Sequence, residues 1–244
     1  MDTFQRWGPD HTGALIAIGV WVVLFAFLPG MLRGTARQWF RIIFASMCFL
    51  GLLAGVILEI YNPKRTLPEA IPFHLCSVSL FLTGLSVLRR SPLGLEWIYI
   101  FGIAGVAQAV LTPDLPYGLP SIRYFVFFFN HGAIVAGVSY LMACEGLRPR
   151  PGAFVRLWSY GTLYMATAFV LNQVAGTNFG YLARKPDNPS LLDALGPWPN
   201  YILWMQGLGI VKIVLLLLPF PNRTALILGP PQFKQDFPAA NEQS

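Results

Sequence analysis

Two short stretches carry the side chains with the most chemistry in them: Pro72-Phe73-His74-Leu75-Cys76-Ser77 and Phe127-Phe128-Phe129-Asn130-His131-Gly132. Pro72 suits the first turn of a helix, where its missing N–H costs nothing, so Cys76 falls near a helix N-terminus. The partial positive charge there favours a thiolate, the nucleophilic form of cysteine, although the effect fades beyond the first turn. His74 is two residues from Cys76, which on a regular helix turns the two side chains about 200° apart, so it makes a poor base for that thiol. His131 is the better partner. It lies roughly 13 Å along its helix and Cys76 roughly 6 Å along its own, a mismatch that tilt and side-chain length can absorb. A cysteine with a histidine from another helix is the minimal pair for nucleophilic catalysis: the imidazole takes the thiol proton and later returns one to the leaving group. The same residues have a plainer use, since a buried cysteine also serves as a small hydrophobe and a membrane histidine as a donor between helices.

What must position these residues is a membrane bundle. Of 244 residues, 55% are hydrophobic and 11% charged, with a mean hydropathy of +0.55; soluble domains carry roughly 25% charged residues. So little charge leaves too little polar surface for a water-facing fold. A bilayer core takes about 20 apolar residues per helix, and seven such runs are read, at 12–32, 39–61, 72–88, 95–112, 122–143, 152–175 and 201–218. The expected fold class is all-α, a polytopic bundle of about seven transmembrane helices over 12–220 with tails at 1–11 and 221–244. Pro, Gly and charge clusters punctuate the runs, among them Pro63, Arg89-Arg90-Ser91-Pro92 and Thr112-Pro113-Asp114. Trp7, Asp10 and His11 precede a first run of full spanning length, against a cleavable signal peptide. Cys48, Cys76 and Cys144 show no CxxC spacing, which argues against a zinc site or a disulfide framework. No metal or other cofactor is expected, and no phosphate-cradling Gly-rich loop, HExxH or GxSxG motif occurs. The formal net charge of +6 sits in short loops between apolar runs, where orientation and anionic headgroups explain it better than nucleic acid.

Counted by alternate loops, ten Lys and Arg fall on one side and six on the other, with Lys212 inside the last run. The positive-inside rule then puts the N-terminus outside and the C-terminus in the cytoplasm. Alternation also gathers the ends of the second, fourth and sixth runs and the starts of the third, fifth and seventh at one face. Those places hold Glu59, His74, Cys76, Gln108, Asn130, His131, Asn172, Gln173, Asn178 and Gln206, while the opposite half holds little beyond serines, threonines and terminal arginines. Polar groups inside a membrane are costly and usually face an interior cavity, so this cluster is the expected site; the competing reading is hydrogen bonding between helices. Glu59 either orients a histidine or marks the water boundary, and Lys212 either carries charge for transport or snorkels to the interface. The segment 176–200, with Tyr181, Leu182 and Trp198 among prolines and glycines, is expected to cap the polar end as an ordered loop.

Three stretches together carry a resemblance: Pro72-Phe73-His74-Leu75-Cys76, the run from Gly102 to Asp114, and Thr177-Asn178-Phe179-Gly180-Tyr181-Leu182 continuing through Lys185-Pro186 to Gly196-Pro197-Trp198-Pro199. With Asn130-His131-Gly132 between them, they resemble the YwaF-like family of integral membrane proteins, which includes the vertebrate transmembrane protein 164; the similarity runs from Pro72 to Phe220. The vertebrate member moves fatty acyl chains from a phospholipid onto a lyso ether phospholipid with a cysteine nucleophile and a histidine. The resemblance therefore implies a membrane phospholipid acyltransferase working through a thioester, with Cys76 and His131 as the catalytic pair and phospholipids and lysophospholipids as partners. His74, Asn130, Asn178, Gln108 and Glu59 are the substrate-binding candidates, the first three as donors to a developing oxyanion. A hydrolase differs only in letting water reach the thioester. A transporter or receptor-like bundle would use the same polar pocket for binding, although the paired discontinuous helices of many transporters are missing.

Overall fold

The computed structural model describes residues 4–63, 65–113, 115–186 and 191–221, together with Ala225 and Ile227. Among them the chain forms seven long helices: α1 (Pro9–Met31), α2 (Gly34–Ile60), α3 (Leu75–Arg89), α4 (Pro92–Leu111), α5 (Ile122–Ala143), α6 (Ala153–Ala175) and α7 (Asn200–Leu217). Three 3-10 turns, Leu67–Ala70, Phe179–Tyr181 and Leu191–Leu195, lie in the connections, and the described residues contain no strand. Six of the seven helices are long and apolar enough to cross a membrane, α3 when taken from Leu67 with the 3-10 turn before it, which makes this a multi-pass integral membrane protein. The exception is α6, whose apolar character is diluted by Arg156, Ser159, Thr162, Asn172 and Gln173. Its 23 residues still reach about 34 Å at the α-helical rise.

Local chemistry sets the boundaries. Ser91 caps α4 by accepting from the Gly94 N–H at 3.1 Å, with Pro92 at the first helical position. Gly176 ends α6 at φ 66°, a left-handed stop that glycine takes without a Cβ penalty. α4 is interrupted by a π turn at Ile98–Gly102, which brings the Gly102 backbone against Ile134 of α5; a Cβ there would lie 2.7 Å from Cγ2 of Ile134.

α5 is the axis of the bundle, with Ala133, Ile134, Ala136, Tyr140 and Leu141 fully buried, and α1, α2, α3 and α4 pack around it. In lipid the hydrophobic effect does not drive helices together, so close van der Waals approach must do so. Gly132 lets α5 meet Trp21 and Ile18 of α1, and Gly137 lets it meet Thr83 of α3 and Phe44 of α2. Large apolar side chains such as Phe27, Val174 and Leu203 point outward, 69%, 82% and 75% exposed, as a lipid-facing surface requires.

Two expectations change here. The first helix starts at Pro9 rather than at residue 12, and His11 is buried inside it. Its Nδ1 accepts from the Trp7 N–H at 3.0 Å and its Nε2 lies 2.7 Å from the Val110 carbonyl, pinning the chain start to the end of α4. Nor is the end opposite the polar cluster empty of chemistry. Glu96, wholly buried, accepts from the Arg150 backbone N–H at 2.9 Å, from Arg150 Nε at 3.0 Å and from Arg156 Nη2 at 2.8 Å. Glu145 sits 3.2 Å from Arg37 Nε and 3.5 Å from Arg41 Nη1, and takes the Tyr140 hydroxyl as well. A lone carboxylate among apolar neighbours must find cations in a membrane, and that is the signal that Leu95-Glu96-Trp97 carried. The tail at 221–244 lies outside the described residues except for Pro221, Ala225 and Ile227.

Candidate functional site

A cavity of about 690 Å³ opens at the end where α2 finishes and α3 and α5 begin. One face of α5 lines it from mouth to floor through Arg123, Val126, Phe127, Asn130, His131 and Ile134, the i, i+3, i+4, i+7 spacing of a single helical stripe. α2 faces it with Leu52, Gly55, Val56 and Glu59, and the start of α3 contributes Cys76, Ser77 and Leu80. Five of the residues singled out from sequence therefore meet here: Cys76, His131, His74, Asn130 and Glu59.

The start of α3 differs from expectation in a way that matters for the thiol. The helix begins at Leu75 instead of Pro72, because the Phe73 N–H bonds back to Ile71 at 2.7 Å in a turn and His74 takes extended backbone as the N-cap, φ −62° and ψ 147°. Cys76 is thus the second helical residue, inside the first turn where the helix dipole acts. The first helical bond runs from the Val78 N–H to the His74 carbonyl at 3.0 Å, so the N–H groups before it have no partner inside the helix. The Tyr164 hydroxyl donates to the Phe73 carbonyl at 3.0 Å, bracing the turn just before the helix. Cys76, half-buried on the cavity wall, lies in this turn of helix whose leading N–H groups, its own and that of Ser77, have no partner inside the helix.

His74 also changes. The 200° separation argued for a regular helix does not apply to a residue outside the helix, and both side chains line the same cavity. The His74 ring is held edge-on to Phe179 at 5.3 Å and tilted to Tyr181 at 6.3 Å, and no hydrogen bond to a described residue occupies its nitrogens.

His131 is buried, 6% exposed, with Nδ1 2.7 Å from the Phe127 carbonyl. A carbonyl only accepts, so Nδ1 carries the proton and Nε2 presents its lone pair. Among the described residues no hydrogen bond engages Nε2. Beside it, Asn130 donates from Nδ2 to the Gly51 carbonyl at 3.0 Å, and its buried Oδ1 finds no partner among the described residues. Gly51 has no side chain to spare there: a Cβ would collide with Asn130 Oδ1.

Two candidates fall elsewhere. Asn178 turns its amide to the loop after α6, accepting from the Ala183 and Arg184 N–H groups at 3.1 and 3.0 Å and donating to the Arg184 carbonyl at 2.9 Å. It positions that loop and is not among the residues that line the Cys76 cavity. Gln108 lines a second, apolar cavity of about 210 Å³ between α4, α6 and α7, together with Gln206 and Lys212. The loop itself is ordered over its described part: Trp198 Nε1 donates to the Leu182 carbonyl at 3.1 Å and the Tyr201 hydroxyl reaches the Tyr181 carbonyl. Residues 187–190 lie outside the described residues. Glu59 bonds to no histidine; it pairs with Arg123 at 3.2 Å and Arg65 at 3.4 Å. Those arginines, with Arg184 and Glu69, form the mouth of the cavity. In the sequence alone they carry no signal beyond that of loop charges that set orientation.

A model of the TMEM164 family matches residues 6–217. The chain is similar to an uncharacterized protein of Treponema pallidum (strain Nichols), 27% identical over 232 residues that cover 89% of this chain and 90% of that one. No solved structure matches.

Proposed function

The chain belongs to the TMEM164 family, and from that premise we propose that it is a membrane-embedded phospholipid acyltransferase with Cys76 as nucleophile and His131 as base. The observation that carries this reading is the shared cavity: a cysteine on the first turn of α3 and a histidine from α5, its Nε2 lone pair uncommitted, line one chamber. In the first half-reaction the Cys76 thiol proton passes to His131 Nε2 and the sulfur attacks the ester carbonyl carbon of a phospholipid. The carbonyl oxygen becomes an oxyanion, and the N–H groups of Cys76 and Ser77, without partners inside the helix, are the donors offered to it at the start of α3. The carbon–oxygen ester bond then breaks, the lysolipid oxygen takes the proton from His131, and the acyl group remains as a thioester. In the second half an acceptor lysolipid hydroxyl gives its proton to His131 and attacks the thioester, and the departing sulfur regains that proton. Lipid enters sideways from the bilayer, so its ester reaches the cavity without leaving the membrane.

The test is direct. Purified protein incubated with a defined phospholipid should yield a Cys76-bearing peptide heavier by one acyl group and cleaved by hydroxylamine. Cys76→Ala should abolish both adduct and transfer, while Cys48→Ala, a change in the bundle core away from the cavity, should retain them. A Cys76→Ala protein that still transfers acyl chains, free of contaminating enzymes, overturns the mechanism. Release of free fatty acid in the presence of lysolipid would make the protein a hydrolase.

A further inference from the structure

The mouth of the Cys76 cavity is built from three arginines that come from three separate parts of the chain. Arg65 lies beyond the end of α2, Arg123 stands in the first turn of α5, and Arg184 belongs to the loop that Asn178 holds in place. Glu59 and Glu69 are the carboxylates among the described residues lining it. Arg65 contacts both, at 3.4 and 3.3 Å, Arg123 contacts Glu59 at 3.2 Å, and Arg184 lies 3.8 Å from Glu69. The carboxylates thus hold the guanidinium groups in position, yet among the described lining residues three arginines face two carboxylates, a balance of one positive charge. Each guanidinium has five N–H donors in a planar fork suited to phosphate, and these contacts use only some of them. Arg65 and Arg184 are also well exposed, with side chains 39% and 59% accessible.

Depth fixes what such an anion would belong to. Arg123 and His131 lie on the same lining stripe, eight residues apart, or about 12 Å of helical rise. Arg123 donates to the Leu58 carbonyl at 2.7 Å and to Glu59 at 3.2 Å, level with the last turn of α2, so the glycerol unit and ester of a lipid whose phosphate is held there have the interval down to His131 to occupy. A phosphate held at the mouth therefore leaves the ester of the same molecule on the side of the cavity that leads to Cys76 and His131. We infer that Arg65, Arg123 and Arg184 bind the headgroup phosphate of the lipid, selecting glycerophospholipids over neutral glycerides. The inference rests on the acyltransfer reading for the fate of the bound lipid, and its test needs no catalysis.

In the Cys76→Ala background, which cannot turn over, binding of a short-chain phosphatidylcholine and of dioctanoylglycerol is measured in the same detergent. Arg65→Gln/Arg184→Gln should weaken phosphatidylcholine binding by at least roughly tenfold, the scale of one lost charge-assisted contact, and leave dioctanoylglycerol within about twofold. Arg65→Lys/Arg184→Lys keeps the charge without the fork and should fall between the two. Equal weakening of both lipids assigns the arginines a purely structural role, and unchanged phosphatidylcholine binding removes them from recognition; either overturns the inference. Inorganic phosphate that competes as well as glycerophosphocholine would make free phosphate the ligand and also overturn it. Absence of a thioester in the wild-type protein, by contrast, strikes the catalytic reading and leaves this binding result standing.

Discussion

Replacing His131 by Gln separates catalysis from architecture. The imidazole makes one hydrogen bond to the described residues, from Nδ1 to the Phe127 carbonyl, a carbonyl that the helix backbone of α5 also serves. Losing it costs about 1 kcal/mol, and glutamine fills nearly the same buried volume, so the bundle should stay folded. The chemical loss is larger. A positioned general acid–base group contributes about 10²–10⁴-fold, which corresponds to about 2.7–5.4 kcal/mol of barrier. Thioester formation on Cys76, measured by rapid quench and mass spectrometry under single-turnover conditions, should slow by that factor. Some reaction should survive, because Cys76 sits on the first turn of α3, where the helix dipole supports an anion without a base. A wild-type rate in His131→Gln, together with a collapsed rate in His74→Gln, would refute the assignment and hand the role to His74, which lines the same cavity.

Gly51→Ala should push Asn130 off its bond to the Gly51 carbonyl, costing about 1–3 kcal/mol of stability and lowering acyl transfer; thermal unfolding in detergent and transfer rates check it. Glu96→Ala leaves Arg150 and Arg156 without their buried carboxylate and, since both arginines reach solvent, should cost about 1.5–3 kcal/mol. Transfer per folded molecule should persist, since Glu96 lies at the opposite end of the bundle from the cavity; loss of activity without loss of stability would contradict this. Reporter fusions at both termini should place the N-terminus outside and the C-terminus in the cytoplasm, with the cavity opening on the extracytoplasmic side. Termini on one side would contradict seven crossings.

Helix number and position are readable from sequence because lipid leaves few alternatives: backbone groups must bond internally, so each apolar run of spanning length becomes a helix. The run at 122–143 coincides with α5 (Ile122–Ala143), and the others shift by a few residues. Alternation of the chain then places Glu59, His74, Cys76, Asn130 and His131 at one end, a topological result that requires no side-chain geometry. Rotation and depth are not readable in the same way. The π turn at Ile98–Gly102 holds one residue more than an α turn and rotates the remainder of α4 about its axis, and Gln108, beyond that turn, faces the second cavity. Asn178 has the chemistry of a donor for substrate, yet three bonds to Ala183 and Arg184 turn its amide to the loop after α6, outside the lining of the Cys76 cavity. The start of α3 lies at Leu75 rather than Pro72 because a turn at Ile71–Phe73 takes the backbone first, which frees His74 to share the chamber with Cys76. The arginines show the division most clearly. Their number and sign are composition, but the meeting of Arg65, Arg123 and Arg184 around one opening depends on where three distant segments end in space, and only the packed bundle decides that.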